Sequence, residues 1–317
     1  PTRRSSDLFM KVTVKVPATT ANIGPGFDCL GLALPVYNEI TVEETVMPGS
    51  GVEINIIDEN DIYDVISIPK DENNLAYKAI ELLYNFIGQT ASDIKITIKT
   101  NIPVARGLGS SASVIVGGLV AANELLGKPA DSAVLLSIAS EVEGHPDNVT
   151  PALFGGFCLS SIEDDGSVAF SKIDWPENWK LTVLIPDYEL DTRIARSVLP
   201  ENIGIKDAAF NLRKCAMIID AVYRKDSEMM KRALKDKLHQ PYREKLINGF
   251  KELQELLENK ENILGCVISG AGPTILVISE NDGFEKVQND VIQIFDDLNV
   301  NCDIRTYKIE NEGTLVI

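Results

Sequence analysis

Pro103-Val104-Ala105-Arg106-Gly107-Leu108-Gly109-Ser110-Ser111-Ala112-Ser113 is the stretch on which the reading of the chain turns. Gly107 and Gly109 let a backbone approach an anion closely. The apolar residues that follow predict a helix over 110–126, whose first turn presents unpaired N–H groups and the positive end of a dipole. Ser110 and Ser111 stand where they can cap that helix or reach a metal ion. A tight turn with an ordinary serine cap accounts for the same residues, so the loop alone is a weak signal.

The loop is not a Walker A, which needs a lysine directly ahead of its Ser or Thr. No lysine occurs between Lys99 and Lys128. A triphosphate held here must be neutralised by backbone amides, the helix end and a bound cation such as Mg²⁺, and that cation requires a carboxylate from elsewhere in the chain.

The rest of the composition narrows the classes. At 317 residues, 44% hydrophobic and 24% charged, the chain is globular and long enough for two domains. A net charge of -17 argues against nucleic acid, which rewards clustered Lys and Arg. Cys29, Cys158, Cys215, Cys266 and Cys302 are too scattered for a zinc or redox motif and read as reduced thiols. With His145 and His239 the only histidines, the expected metal is a hard cation on oxygen ligands. No apolar run is long enough to span a membrane and no signal peptide is evident, so a cytoplasmic enzyme fits. Pro1–Phe9 match nothing that follows and read as an addition ahead of a natural start at Met10.

Alternation predicts strands at Lys11–Val16, Glu39–Val46, Val52–Ile57, Val65–Ile68 and Ile94–Lys99, with a helix capped by Asn73 or Asn74 and ending near Gly88. A helix over Asp131–Glu143 and a strand over Phe154–Ile162 complete a mixed α/β first domain. Turn signals through Asp164–Trp179 suggest a domain boundary, placed at 170/171. Beyond it the pattern predicts a strand at Leu181–Ile185 and helices at Thr192–Leu199, Lys206–Arg224, Ser227–Lys237 and Leu246–Asn259. Two strands, Gly265–Ser269 and Thr274–Ser279, a helix over Gly283–Leu298 and a strand over Asp303–Ile309 follow, an α+β sandwich.

Three further clusters carry polar chemistry. Pro17-Ala18-Thr19-Thr20-Ala21-Asn22 runs into Gly26-Phe27-Asp28, where Asn22 offers a donor and an acceptor and Asp28 an acceptor for an ammonium or hydroxyl; a plain Asx turn explains them too. Glu141-Val142-Glu143-Gly144-His145-Pro146-Asp147-Asn148 supplies the missing carboxylate. Glu141 and Glu143 lie about 200° apart around a helix, so only one can face a given cation while the helix continues. His145 serves equally as cap or catalyst. Ser269-Gly270-Ala271-Gly272-Pro273-Thr274 permits close backbone approach or forms a simple β-turn. Thr192, Arg196 and Arg243 make a weaker group, in which two arginines can clamp a carboxylate.

Taken together, Gly107-Leu108-Gly109-Ser110-Ser111, Ser269–Pro273, the Pro17–Asn22 and Gly26–Asp28 segments, and Glu143–Val149 resemble the GHMP kinase superfamily, within it the homoserine kinase family. The resemblance covers Met10 to the C-terminus, and four motifs in order are far more specific than one. It implies an α+β, two-domain GHMP kinase fold, with an N-terminal ATP-binding domain over 10–170 and a ferredoxin-like C-terminal domain over 171–317. The implied reaction is ATP-dependent phosphorylation of the L-homoserine hydroxyl on the way to threonine, in a cytoplasmic homodimer.

By position, the resemblance implies that Pro103–Ser113 wraps ATP and that Ser111 and Glu141 ligate Mg²⁺, with Ser110 and Glu143 as substitutes. Asn22, Asp28 and Asn148 hold the amino and hydroxyl end of homoserine. Arg196 and Arg243 take its carboxylate, and Thr192, His145 and Gly270 shape the pocket. Asp28, Asn148 and Glu141 then carry the chemistry, with Asp28 or Asp147 as a late proton acceptor. A sister kinase acting on another alcohol such as mevalonate, and a ligand-sensing protein on the same scaffold, are the rival readings.

Overall fold

Ile94-Lys95-Ile96-Thr97-Ile98-Lys99-Thr100 buries every second residue, and this alternation recurs through a mixed sheet at the heart of the first half of the chain. The computed structural model describes residues 10–45, 51–58, 68–91 and 93–317. Pro1–Phe9, Val46 and residues 65–67 of the expected Val65–Ile68 strand lie outside the described residues, and Ile68 itself sits in a bend.

The first half contains β1 (Lys11–Ala21), β2 (Leu30–Glu44), β3 (Val52–Asp58), α1 (Leu75–Phe86), β4 (Ile94–Thr100), α2 (Ser110–Leu125), α3 (Ser132–Glu143), α4 (Pro146–Phe154), β5 (Phe157–Ile162) and β6 (Val168–Ile173). The second contains β7 (Trp179–Pro186), α5 (Thr192–Ser197), α6 (Ile205–Arg224), α7 (Ser227–Ala233), α8 (Gln240–Arg243), α9 (Phe250–Leu257), β8 (Ile263–Ile268), β9 (Ile275–Glu280), α10 (Gln288–Asp297), β10 (Cys302–Tyr307) and β11 (Leu315–Val316).

The first sheet runs β11-β1-β2-β4-β3, with β5 and β6 branching from β2, and β3–β4 is its parallel pair. Helix α2 packs on β1 and β2 and is covered by α1 and α3. Its residues are therefore small and apolar on several faces, and Ile115, Leu119 and Ala121 are all solvent-free. Asn74 caps α1 by accepting from Ala76 N (2.9 Å), and Asp131 caps α3 by accepting from Val134 N (3.0 Å).

The second sheet is antiparallel in the order β10-β7-β9-β8. Numbered within this half, that is 4-1-3-2, the ferredoxin-like arrangement expected of the second domain. One apolar core joins the two halves: Ile23, Leu30, Leu32 and Phe157 pack with Trp175, Trp179, Val183, Val222 and Leu276. The seam between the sheets is thereby fixed, and the loops that meet there can hold side chains precisely.

Three expectations need correction, and one helix was not anticipated. Asp164–Trp179 is not only turn: Asp164-Asp165-Gly166 turns the hairpin between β5 and β6, and β6 is largely exposed, which hides the alternation that would reveal it. The 170/171 boundary falls inside that strand. The chain end also returns to the first half, where Val316 pairs with Val14 and Glu310 N donates to Ala33 O (3.0 Å). Residues 310–317 therefore pack with the first half rather than with the second. Lastly, Pro146–Phe154 is a helix, since Pro146 occupies its first turn, where no N–H is needed, and Pro151 is accommodated within it.

Candidate active site

Several non-glycine residues with left-handed backbone angles cluster at one place on the seam. They are Asn22 (φ 73), Asp28 (φ 54) and Ala105 (φ 52), and each lines one cavity of about 320 Å³. Such conformations persist only where surrounding bonds impose them. Asn22 is held at both ends of its amide: Nδ2 donates to Gly270 O (2.8 Å), and Oδ1 accepts from Asp28 N (3.0 Å).

The glycine-rich loop forms one wall. Gly109 precedes α2 with φ 68, and no side chain caps the helix, so its first N–H groups are left to the cavity. A Cβ on Gly109 would lie 1.9 Å from Thr19 Oγ1, and one on Gly107 would lie 2.3 Å from Ser269 O. The loop is stitched to both halves. Thr19 N donates to Leu108 O (3.1 Å), and Ser269 Oγ donates to Gly107 O (2.6 Å) while accepting from Thr20 Oγ1 (2.7 Å). Leu108, Ala112 and Ser113 are turned away into packing: Ser113 Oγ donates to Ser110 O (2.8 Å) and accepts from Asn38 Nδ2 (2.8 Å).

Arg106 lines the cavity, yet its guanidinium is engaged elsewhere. Nε donates to Pro186 O (2.9 Å), one terminal nitrogen to Val104 O (3.1 Å) and the other to Asp187 O (2.8 Å). It ties the loop to β7 as a strut.

Across from the loop, α3 ends at Glu143 and hands over to Gly144, left-handed at φ 87. Ser111 Oγ donates to Glu143 Oε1 at 2.6 Å, and Glu143 lines the cavity. Glu141, two residues back on a helix that has not yet ended, is exposed. The carboxylate beside the loop is thus Glu143, and the expected role of Glu141 fails on helical phase. Burial pushes the Glu143 carboxyl up, against the opposing pull of His145, Ser111 and Arg196. A carboxylate in that condition gains from a cation.

The α4 turn adds three groups. His145 Nδ1 meets Asp147 Oδ1 at 2.6 Å, Asn148 Nδ2 donates to the same oxygen (3.3 Å), and Thr19 Oγ1 donates to Asn148 Oδ1 (2.8 Å). Burial pulls the His145 imidazole down, but the bond to Asp147 and the charges of Asp147, Glu143 and Asp28 outweigh it, and the net shift is upward. Ligand atoms of Asp28, His145 and Asp147 lie within 4.8 Å of one another.

Opposing these acids, Arg196 grips Asp28 with both terminal nitrogens, 2.7 Å to Oδ1 and 3.1 Å to Oδ2. Arg243 is 1% exposed, with Nε on Ala195 O (3.0 Å) and a terminal nitrogen on Gly270 O (3.0 Å). Burial, then the neighbouring Arg196 charge, brings it down to about 10. The Phe27 ring lies 5.5 Å from the Arg196 guanidinium and 5.3 Å from that of Arg243. Thr192 and Gly270 line the same cavity.

Every expected substrate residue thus faces one space, whereas Glu141 does not. Sequence reasoning missed the apolar part of the lining, Ile68, Pro69, Leu75 and Val114, beside Asn74, Pro103 and Val104. Of these, Asn74 carried a signal as a helix cap, and Pro103 and Val104 as the start of the glycine-rich loop. The cavity therefore joins an apolar slot, an open helix N-terminus and a pocket with paired positive and negative groups. That is the set of surfaces required by a base, its phosphates and a zwitterion.

The GHMP kinases N terminal domain model matches residues 74–156, and the GHMP kinases C terminal model matches 218–297. A homoserine kinase of Clostridium botulinum (strain Langeland) is 45% identical over 305 residues, 96% of this chain and 98% of that one. One of Crocosphaera subtropica is 40% identical over 96% of this chain and 97% of its own. The crystal structure of homoserine kinase from Cytophaga hutchinsonii superposes with a TM-score of 0.86 at 30% identity, covering all of both chains. On these grounds the chain belongs to the homoserine kinase family of the GHMP kinases.

Proposed function

We propose that this cavity transfers the γ-phosphoryl group of ATP to the side-chain hydroxyl of L-homoserine, giving O-phospho-L-homoserine and ADP. One observation carries the reading: the uncapped N-terminus of α2 opens into the same space as an Asp28–Arg196 pair and the buried Arg243. An α-amino acid presents an ammonium and a carboxylate. Asp28 receives the first, and Arg196 with Arg243 the second, each through charge-assisted bonds. Mevalonate has no ammonium to offer Asp28.

The apolar slot of Ile68, Pro69, Leu75 and Val104 receives the adenine, and Gly107–Ser111 receives the phosphates. Mg²⁺ fits the donor set: Ser111 Oγ and a Glu143 oxygen are hard ligands 2.6 Å apart at the helix end. When bound there, such an ion neutralises phosphate charge and orients the γ-phosphoryl group. Asn148, fixed by Thr19 and Asp147, and Asn22, fixed by Gly270, orient the hydroxyl. Loose phosphoryl transfer depends on this alignment more than on early proton removal. His145 and Asp147 can take the proton once the new bond has formed. A cytoplasmic setting suits the ATP requirement and the five free cysteines.

Initial rates of ADP release with L-homoserine, mevalonate and galactose test the reading. Turnover with homoserine is expected, and ADP release with mevalonate alone would overturn the assignment. The strut role of Arg106 has its own test. Arg106→Met is expected to cost about 1–3 kcal/mol in urea unfolding, with KM for ATP changed by less than about threefold. An ATP KM raised tenfold or more at unchanged stability would make Arg106 a phosphate ligand.

A further inference from the structure

His239 is fully buried, does not line the cavity and has no part in the chemistry derived above. A buried imidazole needs a partner for each of its nitrogens. Nε2 lies 2.7 Å from Gly24 O, a carbonyl that can only accept, so Nε2 carries the proton. Nδ1 is then a lone pair, and it faces Arg243 Nη1, which can only donate, at 3.4 Å. The opposite tautomer would set two acceptors against each other at Gly24 and two donors against each other at Arg243. An imidazolium would place a second cation against the guanidinium.

The surroundings hold His239 in the neutral form. The Asp236 carboxylate lies 3.7 Å from Nε2, but it accepts from the N–H groups of Leu238, His239 and Gln240 and from Asn211 Nδ2. It therefore fixes the turn that presents the imidazole and leaves Nε2 to Gly24. Burial pulls the imidazole below its ordinary value with help from the Arg243 charge, against the pull of Asp236, Gly24 O and Asp28. The Phe27 ring stacks on His239 with centroids 5.3 Å apart, and the Arg243 guanidinium lies 5.3 Å from the same ring.

We propose that His239 is a positioning residue for the amino-acid substrate: its neutral imidazole ties the Gly24–Asp28 loop, which receives the ammonium, to Arg243, which receives the carboxylate. The proposal rests on the homoserine reading of the site. Of the guanidinium N–H groups of Arg243, Nε donates to Ala195 O (3.0 Å) and Nη1 donates to Gly270 O (3.0 Å) and to His239 Nδ1. The pair on Nη2 is left for a ligand. Because the guanidinium is a rigid plane, holding Nε and Nη1 sets the direction in which Nη2 donates. On the other side, His239 holds Gly24 O, Asn211 Nδ2 reaches Pro25 O (3.4 Å), and Asn22 Oδ1 accepts from Asp28 N. An α-amino acid carries both charges on groups joined to one carbon. Receivers drawn from residues 24–28 and 243 must therefore be locked to one separation, and His239 is the side chain that bonds to both segments.

Steady-state kinetics of the full chain, with homoserine and ATP varied separately, test the proposal. His239→Phe keeps a flat ring against Phe27 and removes both nitrogens. It is expected to raise KM for homoserine about 30-fold, with kcat within about threefold and KM for ATP within about twofold of the parent. His239→Asn retains an acceptor near the Nδ1 position and His239→Gln a donor near the Nε2 position, so each should lose only about fivefold. An unchanged KM for homoserine in His239→Phe would overturn the proposal, as would an equal rise in KM for ATP, the mark of general damage. If His239→Phe does not fold, the Asn and Gln variants decide: a rise confined to homoserine supports the role, and no rise in either removes it. A long-range ¹H–¹⁵N spectrum of the free enzyme should show His239 neutral with its proton on Nε2; an Nδ1–H tautomer or an imidazolium at neutral pH contradicts the tie. A parent chain without homoserine turnover would overturn the reading of the site and this proposal with it, whereas an active parent indifferent to His239 removes this role alone.

Discussion

Glu143→Gln is expected to lower kcat/KM by about 10²- to 10³-fold, with saturation by Mg²⁺ moved to higher concentration, while Glu141→Gln stays within about twofold of the parent. The contrast rests on helical phase. Glu143 accepts from Ser111 at 2.6 Å and lines the cavity, whereas Glu141 is exposed on the same helix. Stability should move the other way. Because burial raises the Glu143 carboxyl above its ordinary value, ionising it in the fold is unfavourable. The loss of stability sets in as pH rises above the unfolded value and continues to the folded one. A glutamine carries no such cost, so the free variant should melt no lower than the parent at neutral pH, although its activity has collapsed. Added Mg²⁺ should raise Tm for the parent and not for Glu143→Gln. Equal loss of activity in the Glu141 and Glu143 variants would remove the metal role from this position.

Much of this site was legible in the sequence because its residues are constrained by chemistry that local pattern exposes. Gly107 and Gly109 announce close approach, and the structure puts Ser269 O and Thr19 Oγ1 against them. Asn22 and Asp28 sit in a loop whose left-handed backbone suits Asn and Asp. The reading failed where a decision required three dimensions. Whether Glu141 or Glu143 faces the loop depends on where α3 stops, and Gly144 sets that point only once its left-handed cap is seen. Helix α4 carries two prolines, and the pattern predicts no element between Glu143 and Phe154. The exposed strand β6 and the two-residue strand β11 bury too little to leave an alternation, and β11 owes its existence to pairing with β1 at the far end of the chain. The apolar slot was invisible for another reason, since Ile68, Leu75 and Val114 come from three separate segments and resemble ordinary core residues.

Asp28→Asn is expected to raise KM for homoserine about 100-fold and to leave kcat within about threefold, a loss of the size that follows from removing a charged hydrogen-bond partner. In the free enzyme both Asp28 oxygens are held by Arg196, and the pair satisfies itself. An incoming zwitterion offers each partner a replacement, its carboxylate for Arg196 and its ammonium for Asp28. The pair is therefore expected to reopen only for a ligand carrying both charges, and to reject a simple alcohol or a simple acid. In Asp28→Asn, Arg196 loses the carboxylate it grips beside the buried Arg243, and two cations face a pocket with one negative charge fewer. Binding of a lone carboxylate such as butyrate should therefore improve in the variant while homoserine weakens, a reversal that general damage to the site does not produce. A kcat reduced 10³-fold at unchanged KM would instead make Asp28 the proton acceptor of the reaction. The expected split follows from the Arg196 contacts: a carboxylate whose two oxygens are both committed to a guanidinium, and on binding to an ammonium, is expected to orient the substrate rather than to take its proton.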